Sequence, residues 1–194
     1  MAERKVRFRH CINCGNDVYT HAVQEGPVLE VRCSACGFPI EVKAPGAMAT
    51  EGTECIAVVD RDRHILTFIT TVLKERRLAQ DVLTSESGAD LLALCIERLS
   101  AGQPLGLVVI GTMPPHLDGP STALALRAVE RGLRRLEPTP IVFVYPAWIE
   151  DPLRGLISLC QPALYLTRES NPEDSRLDQR IERAVTHLLG QRTT

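Results

Sequence analysis

Five short apolar runs, each followed by a helical pattern, fill the chain from residue 55 onward, and this alternation constrains the fold more than any other feature. The runs are 55–59 (CIAVV), 81–84 (DVLT, the poorest), 107–110 (LVVI), 141–145 (IVFVY, entered through Thr139-Pro140) and 163–166 (ALYL). Continuous apolar runs of this length fit strands buried on both faces of a sheet. Between them, 64–80 places Ile65, Leu66, Phe68, Ile69, Val72 and Leu73 on one helical stripe. A helix over 87–100 opens with a Ser87-x-x-Asp90 cap and closes before Gly102. A third helix spans 121–136, and a fourth starts at Asp151-Pro152 and ends near Cys160. The last is capped within Asn171-Pro172-Glu173-Asp174 and buries Leu177, Ile181, Ala184, Val185 and Leu188. Such alternation predicts an α/β fold: a five-stranded, parallel, doubly wound sheet with right-handed crossovers. Periodicity alone leaves the strand order open.

In open sheets of this kind, sites form at the carboxyl ends of strands. The residue after LVVI is therefore a test position, and it is Gly111, followed by a loop with Pro114, Pro115 and Gly119. The stretch 107–119 (LVVIGTMPPHLDG) resembles the third strand and following loop of the receiver domains of bacterial response regulators. In that family the run ends in the aspartate that is phosphorylated. Pro115, Asp118 and Gly119 fall in register, but Gly111 stands at the phosphoacceptor position. The resemblance covers about residues 55–190 and implies a flavodoxin-like strand order of 2-1-3-4-5.

Receiver chemistry needs a nucleophilic carboxylate, two more acids for Mg2+, a hydroxyl and a lysine, because the metal neutralises charge on the phosphoryl oxygens. Asp60 matches the first acid. Arg61 falls at the second, with Asp62 next to it. Tyr145 stands at the hydroxyl position, Arg168 at the lysine, and Glu169 at the proline beyond it. A glycine offers no atom to phosphorylate. The resemblance is therefore to degenerate pseudo-receivers with a site made of Asp60, Asp62, Gly111, Tyr145 and Arg168, and Mg2+ is not expected there. Solvated loop acids at Asp60 and Asp62, a rim-covering Tyr145 with a wet hydroxyl, and simple turn chemistry at Asp118-Gly119 are the bland alternatives. His116 has no paired ligand nearby in sequence.

Residues 4–43 form a separate small unit. Cys11-x-x-Cys14-Gly15 and Cys33-x-x-Cys36-Gly37 supply four thiolates at a spacing that suits a tetrahedral metal. Short alternating segments at 6–8, 18–23, 28–31 and 39–42 read as hairpin strands, with Glu25-Gly26-Pro27 a turn. The unit resembles the small zinc ribbons at the N-termini of many bacterial proteins, which implies structural zinc on Cys11, Cys14, Cys33 and Cys36. Iron remains open on ligation alone, four thiolates leave no position for catalysis, and His10 and His21 read as solvated. About 40 residues cannot build a sufficient core, so metal would supply much of the folding energy. Residues 44–53 read as a linker and 54–191 as the receiver-like domain.

Hydrophobic residues make up 44% of the chain, enough for a packed core, and net charge is −2, so no global field draws it to nucleic acid or membrane. No run approaches the ~20 residues of a membrane helix, and the first ten residues lack a signal-peptide core. A soluble cytoplasmic protein is expected, with Cys55, Cys95 and Cys160 as core thiols. The expected role is a non-catalytic bacterial signalling adaptor that binds protein partners, a homodimer being compatible. The alternative is a nucleic-acid binder using the ribbon and the basic arm Arg4, Lys5, Arg7, Arg9 and His10. No hydrolytic triad, phosphate-cradling glycine loop or open metal site points to an enzyme.

Overall fold

The computed structural model describes residues 8–11, 16–25, 28–35, 37–43, 55–112, 117–146, 155, 157–168 and 177–190. The chain divides into two compact units, one holding the first four strands and the other everything described from Cys55 onward. The linker over 44–53 lies outside the described residues.

The first unit is an antiparallel sheet, β1 (Phe8–Cys11), β2 (Asn16–Glu25), β3 (Val28–Cys33) and β4 (Pro39–Lys43), in sequential order. The strands are offset from, and mostly longer than, their alternation suggested, because pairing across β2 recruits polar residues that periodicity does not mark. Register pairs Glu25 with Val28 at one end of the β2–β3 hairpin; Cys11 (opposite Asn16) and Cys33 (opposite Thr20) lie toward the other.

The second unit runs β5 (Cys55–Val59), α1 (Arg63–Glu75), β6 (Asp81–Ser85), α2 (Gly88–Ser100), β7 (Leu107–Ile110), α3 (Gly119–Gly132), β8 (Ile141–Tyr145), β9 (Ala163–Thr167) and α4 (Leu177–Gly190). All neighbouring strands are parallel, in the order β6-β5-β7-β8-β9. This is the order 2-1-3-4-5 that the resemblance implied. The three central strands, β5, β7 and β8, are wholly buried, which explains their unbroken apolar sequence. Alternate residues feed two cores. Ile56, Val58, Val109 and Val144 pack with α1 and α4, while Ala57, Val108, Ile110 and Phe143 pack with α2 and α3.

Two helices end earlier than the apolar pattern predicts. Helix α1 stops at Glu75 instead of 80 because Arg77 turns left-handed (φ 52°) and the Leu78 N–H returns to the Leu73 carbonyl. Helix α3 starts at Gly119, two residues early, under the Asp118 cap, and stops at Gly132 instead of 136. Arg134 (φ 53°) turns there and Arg135 N–H bonds to the Glu130 carbonyl. Phe68, expected on the buried stripe, is 38% exposed, while Ile69, Val72 and Leu73 carry the packing. The predicted helix at 151–160 falls mostly outside the described residues, although Gly155, Ile157 and Ser158 are helical.

Cys55, Cys95 and Cys160 are buried core residues, and burial pushes the Cys95 thiol up to about 12. Beneath the sheet lies a feature the sequence did not announce: a buried ion pair between Arg127 and Glu130 (2.6 Å). Arg127 also donates to the carbonyls of Cys160 and Thr139, and Glu130 accepts the Thr139 N–H. The pair thus joins the end of α3 to the chain entering β8 and to the turn before β9. Among the described residues, no helix is long and apolar enough to cross a membrane.

Candidate functional site

The carboxyl ends of β5, β7, β8 and β9 deliver Asp60, Gly111, Tyr145 and Arg168, respectively, to one edge of the sheet. Asp60 is no solvated loop acid, for it is fully buried. One of its carboxylate oxygens accepts the Asp62 N–H (2.8 Å) and the other the Thr112 N–H (3.0 Å). Burial pushes the Asp60 carboxyl above its ordinary range, against the pull of those two N–H bonds and of the Arg168 charge.

The carboxylate lies over Gly111. A β-carbon at position 111 would collide with an Asp60 carboxylate oxygen and stand 2.6 Å from its Cγ and 2.9 Å from its Cβ. The Gly111 N–H is itself tied to the Val59 carbonyl at 2.7 Å, so the backbone is held in place by the sheet. Glycine here does more than omit a nucleophile. It leaves the space that the Asp60 side chain fills.

The remaining groups are committed locally. Asp62 is exposed, and its carboxylate caps α1 by accepting the His64 N–H (2.9 Å). Arg168 donates to the hydroxyl of Thr112, the residue whose N–H already holds Asp60. Its backbone N–H bonds to the Tyr145 carbonyl (2.6 Å). Thr112 was not singled out from sequence; only its place directly after the test position could have flagged it. Glu169 and His116 lie outside the described residues.

Tyr145 departs from the expected rim position with a wet hydroxyl. It is 5% exposed, stacked on Phe143 (ring centroids 6.0 Å apart) and tilted against Tyr165 (5.9 Å). Its hydroxyl has no hydrogen-bond partner among the described residues and touches the place where a side chain at Gly119 would begin. Burial, with Asp118 adding like charge, raises its pKa. Asp118 and Gly119 are therefore more than a turn: Asp118 caps α3 through the Ser121 N–H (2.7 Å), and Gly119 gives the tyrosine room.

No protein-family model matches the sequence, and no curated protein is similar to it. Solved structures are similar in shape. The receiver domain of the histidine kinase CKI1 from Arabidopsis thaliana, complexed with Mg2+ and BeF3−, aligns with a TM-score of 0.56 at 19% identity, over 69% of this chain and 91% of that one. The signal receiver domain of the putative response regulator NarL from Mycobacterium tuberculosis aligns at 0.54 and 16%, over 72% and 98%. The chemotaxis response regulator CheY4 of Vibrio cholerae aligns at 0.52 and 14%, over 70% and 98%. The second unit has the receiver fold. At these identities the likeness shows the fold alone, and what the receiver-like unit does is argued from its own residues.

In the first unit, Cys11 and Cys33 are fully buried. The Cys33 sulfur accepts the Ala35 N–H (3.3 Å), its carbonyl accepts the Gly37 N–H (2.9 Å), and Gly37 has φ +74°. This is a tight turn around a sulfur, made possible by the glycine after the second cysteine of the pair. Cys14 and Cys36 lie outside the described residues, and among the described residues no three metal-ligating side chains converge.

Proposed function

We propose that this protein is a response-regulator-like signalling adaptor whose receiver-like unit works without phosphorylation, through protein contacts, and that it is not an enzyme. The observation that carries the reading is the Asp60 carboxylate packed over Gly111. An acyl phosphate needs a carboxylate at that position, and the space for one is taken. Magnesium needs carboxylate oxygens with free lone pairs facing one point. Asp60 is held by a backbone N–H on each oxygen, Asp62 is turned to a helix cap through one of its oxygens, and Arg168 brings a competing positive charge to the same place. The fold is kept while the switch chemistry is replaced by fixed packing. The surface available to partners then has one constitutive shape.

The N-terminal unit fits a structural zinc ribbon, with Cys11, Cys14, Cys33 and Cys36 as ligands. The Cys33 turn supports this: a backbone N–H aimed at the sulfur and a left-handed Gly37 close the chain tightly around the first cysteine of the pair, as a metal-binding knuckle needs. Zinc would contribute folding energy and no chemistry, since four thiolates close its coordination.

Two measurements test the reading. Acetyl phosphate, or beryllofluoride with Mg2+, should leave mass, spectrum and assembly unchanged; a stoichiometric adduct, or a Mg2+-dependent change of shape, would end the adaptor proposal. The purified protein should carry one zinc per chain, and Cys33→Ser should lose it and unfold the first unit only. A metal-free first unit that keeps its fold would overturn the ribbon.

A further inference from the structure

The receiver-like unit carries two surface features that its own fold leaves unmatched. The first is a groove of about 580 Å³ beside the edge strand β6. Leu66 of α1 and Ala93 and Leu94 of α2 give it apolar walls, and Glu86, Asp90 and Glu97 give it an acidic rim. Glu86 is already in an exposed pair with Arg63 (2.7 Å), and Asp90 accepts the Ser87 hydroxyl (2.6 Å). Glu97 lies exposed on the lip. The second feature is the corner after α3, where the chain turns at Arg134. Leu136 is 99% exposed there and Leu133 is 41% exposed. Arg134 is exposed beside them, whereas Arg135 is half-buried with its Nε enclosed.

A bare leucine preceded by Arg134 and Arg135 and followed by Glu137 leaves the corner one net positive charge, and an apolar groove rimmed by acids complements it. We propose that the groove receives the Arg134–Leu136 corner of a second copy of this chain. Leu136 enters against Leu66 and Leu94, and the exposed guanidinium of Arg134 meets the exposed Glu97. A copy cannot fill its own groove. The groove opens at β6, on the outer edge of the sheet, whereas the corner leads into β8, three strands away, with α3 packed beside α2 in between. At about 4.8 Å per strand spacing, that is roughly 14 Å across the sheet. Each copy therefore offers one corner and one groove, and the contact is head-to-tail. The second copy is the fitting occupant because both halves of the match lie on one compact unit, and a net charge of −2 sets little long-range repulsion against self-contact. The inference uses none of the residues around Asp60 and stands apart from the phosphorylation reading.

Sedimentation of the full chain across a wide concentration range, at low and at high salt, tests it. The wild type should gain mass with concentration, less so at high salt, which screens the charge pairs. Arg134→Glu and Glu97→Arg should each weaken association about tenfold or more. Mixing these two variants should restore it, as should combining both changes in one chain, because the reversed charges match again. Leu136→Ser should weaken it with no change of net charge. Circular dichroism melts should be unchanged throughout, since all three positions are exposed. A wild type that stays monomeric at every concentration would overturn the proposal. So would association that ignores both single substitutions, or a charge swap that fails to restore it.

Discussion

Adding one methyl group at Gly111 should destabilise the receiver-like unit out of proportion to its size. In Gly111→Ala the new β-carbon meets the Asp60 carboxylate, with Cγ at 2.6 Å and Cβ at 2.9 Å. The strand cannot retreat, since the Gly111 N–H is held at 2.7 Å by Val59 and β7 is buried between β5 and β8. The Asp60 side chain must therefore rotate away and lose at least one of its bonds to the N–H groups of Asp62 and Thr112. Overpacking a filled site costs about 1–3 kcal/mol. Losing a hydrogen bond to a charged group costs about 1.5–3 kcal/mol. The two overlap, because moving the carboxylate relieves the clash, so the net loss should be about 2–4 kcal/mol, or roughly 2–4 °C of melting temperature per kcal/mol. Urea titration followed by far-ultraviolet circular dichroism reads this unit, since every described helix lies in it. The decisive control is the same substitution in an Asp60→Ala background, where the Cγ and oxygen contacts are gone. There the cost should fall by at least about 1 kcal/mol, a coupling expected only between residues in contact. A loss in the wild-type background within about 0.5 kcal/mol, as at an ordinary surface site, would refute the packing argument. Gly111→Asp should likewise lose stability without gaining any Mg2+-dependent response to beryllofluoride.

Other consequences are simpler. Tyr145→Phe should be neutral or stabilising by up to about 1 kcal/mol, because it removes a buried hydroxyl that has no hydrogen-bond partner among the described residues; a melting temperature lowered by several degrees would contradict the arrangement. Arg127→Ala should cost about 3–5 kcal/mol by stranding the buried Glu130 carboxylate, readable in the same urea titration. The raised pKa of Asp60 means that the folded state holds this proton when the unfolded state has lost it. Stability from this group should therefore fall as pH rises from the ordinary aspartate range through the raised value, and then level off. Measured as the stability of the wild type minus that of Asp60→Asn, the difference should shrink with rising pH over that window; a difference that grows would reverse the sign of the burial effect.

Much of the second unit could be read from the chain. Runs such as CIAVV and LVVI carry no polar residue because both of their faces are covered, and the stripe of Ile181, Ala184, Val185 and Leu188 marks a helix with one face on the sheet. Local caps were equally legible at Ser87, since a hydroxyl three residues before an acid satisfies helix N–H groups without help from elsewhere. The helix ends were not legible. Leu78 and Leu136 continue an apolar pattern, but left-handed turns at Arg77 and Arg134 stop the helices first, and nothing in an arginine announces φ near +50°.

The sequence by itself determined that position 111 has no side chain, and so what reaction cannot occur there. Only the tertiary structure decided what fills the space. Asp60 lies 51 residues earlier, at the end of a different strand. It arrives over Gly111 because β5 and β7 are hydrogen-bonded neighbours in parallel register, with Val59 opposite Ile110. Contacts of that kind depend on strand order and register, which set distances between residues remote in sequence, whereas periodicity records only which face of each element is buried. The same holds for the hydroxyl of Tyr145 against Gly119 and for Arg127 against the carbonyls of Cys160 and Thr139: each residue is ordinary in its own segment, and each acquires its role from a neighbour that the tertiary fold brings to it.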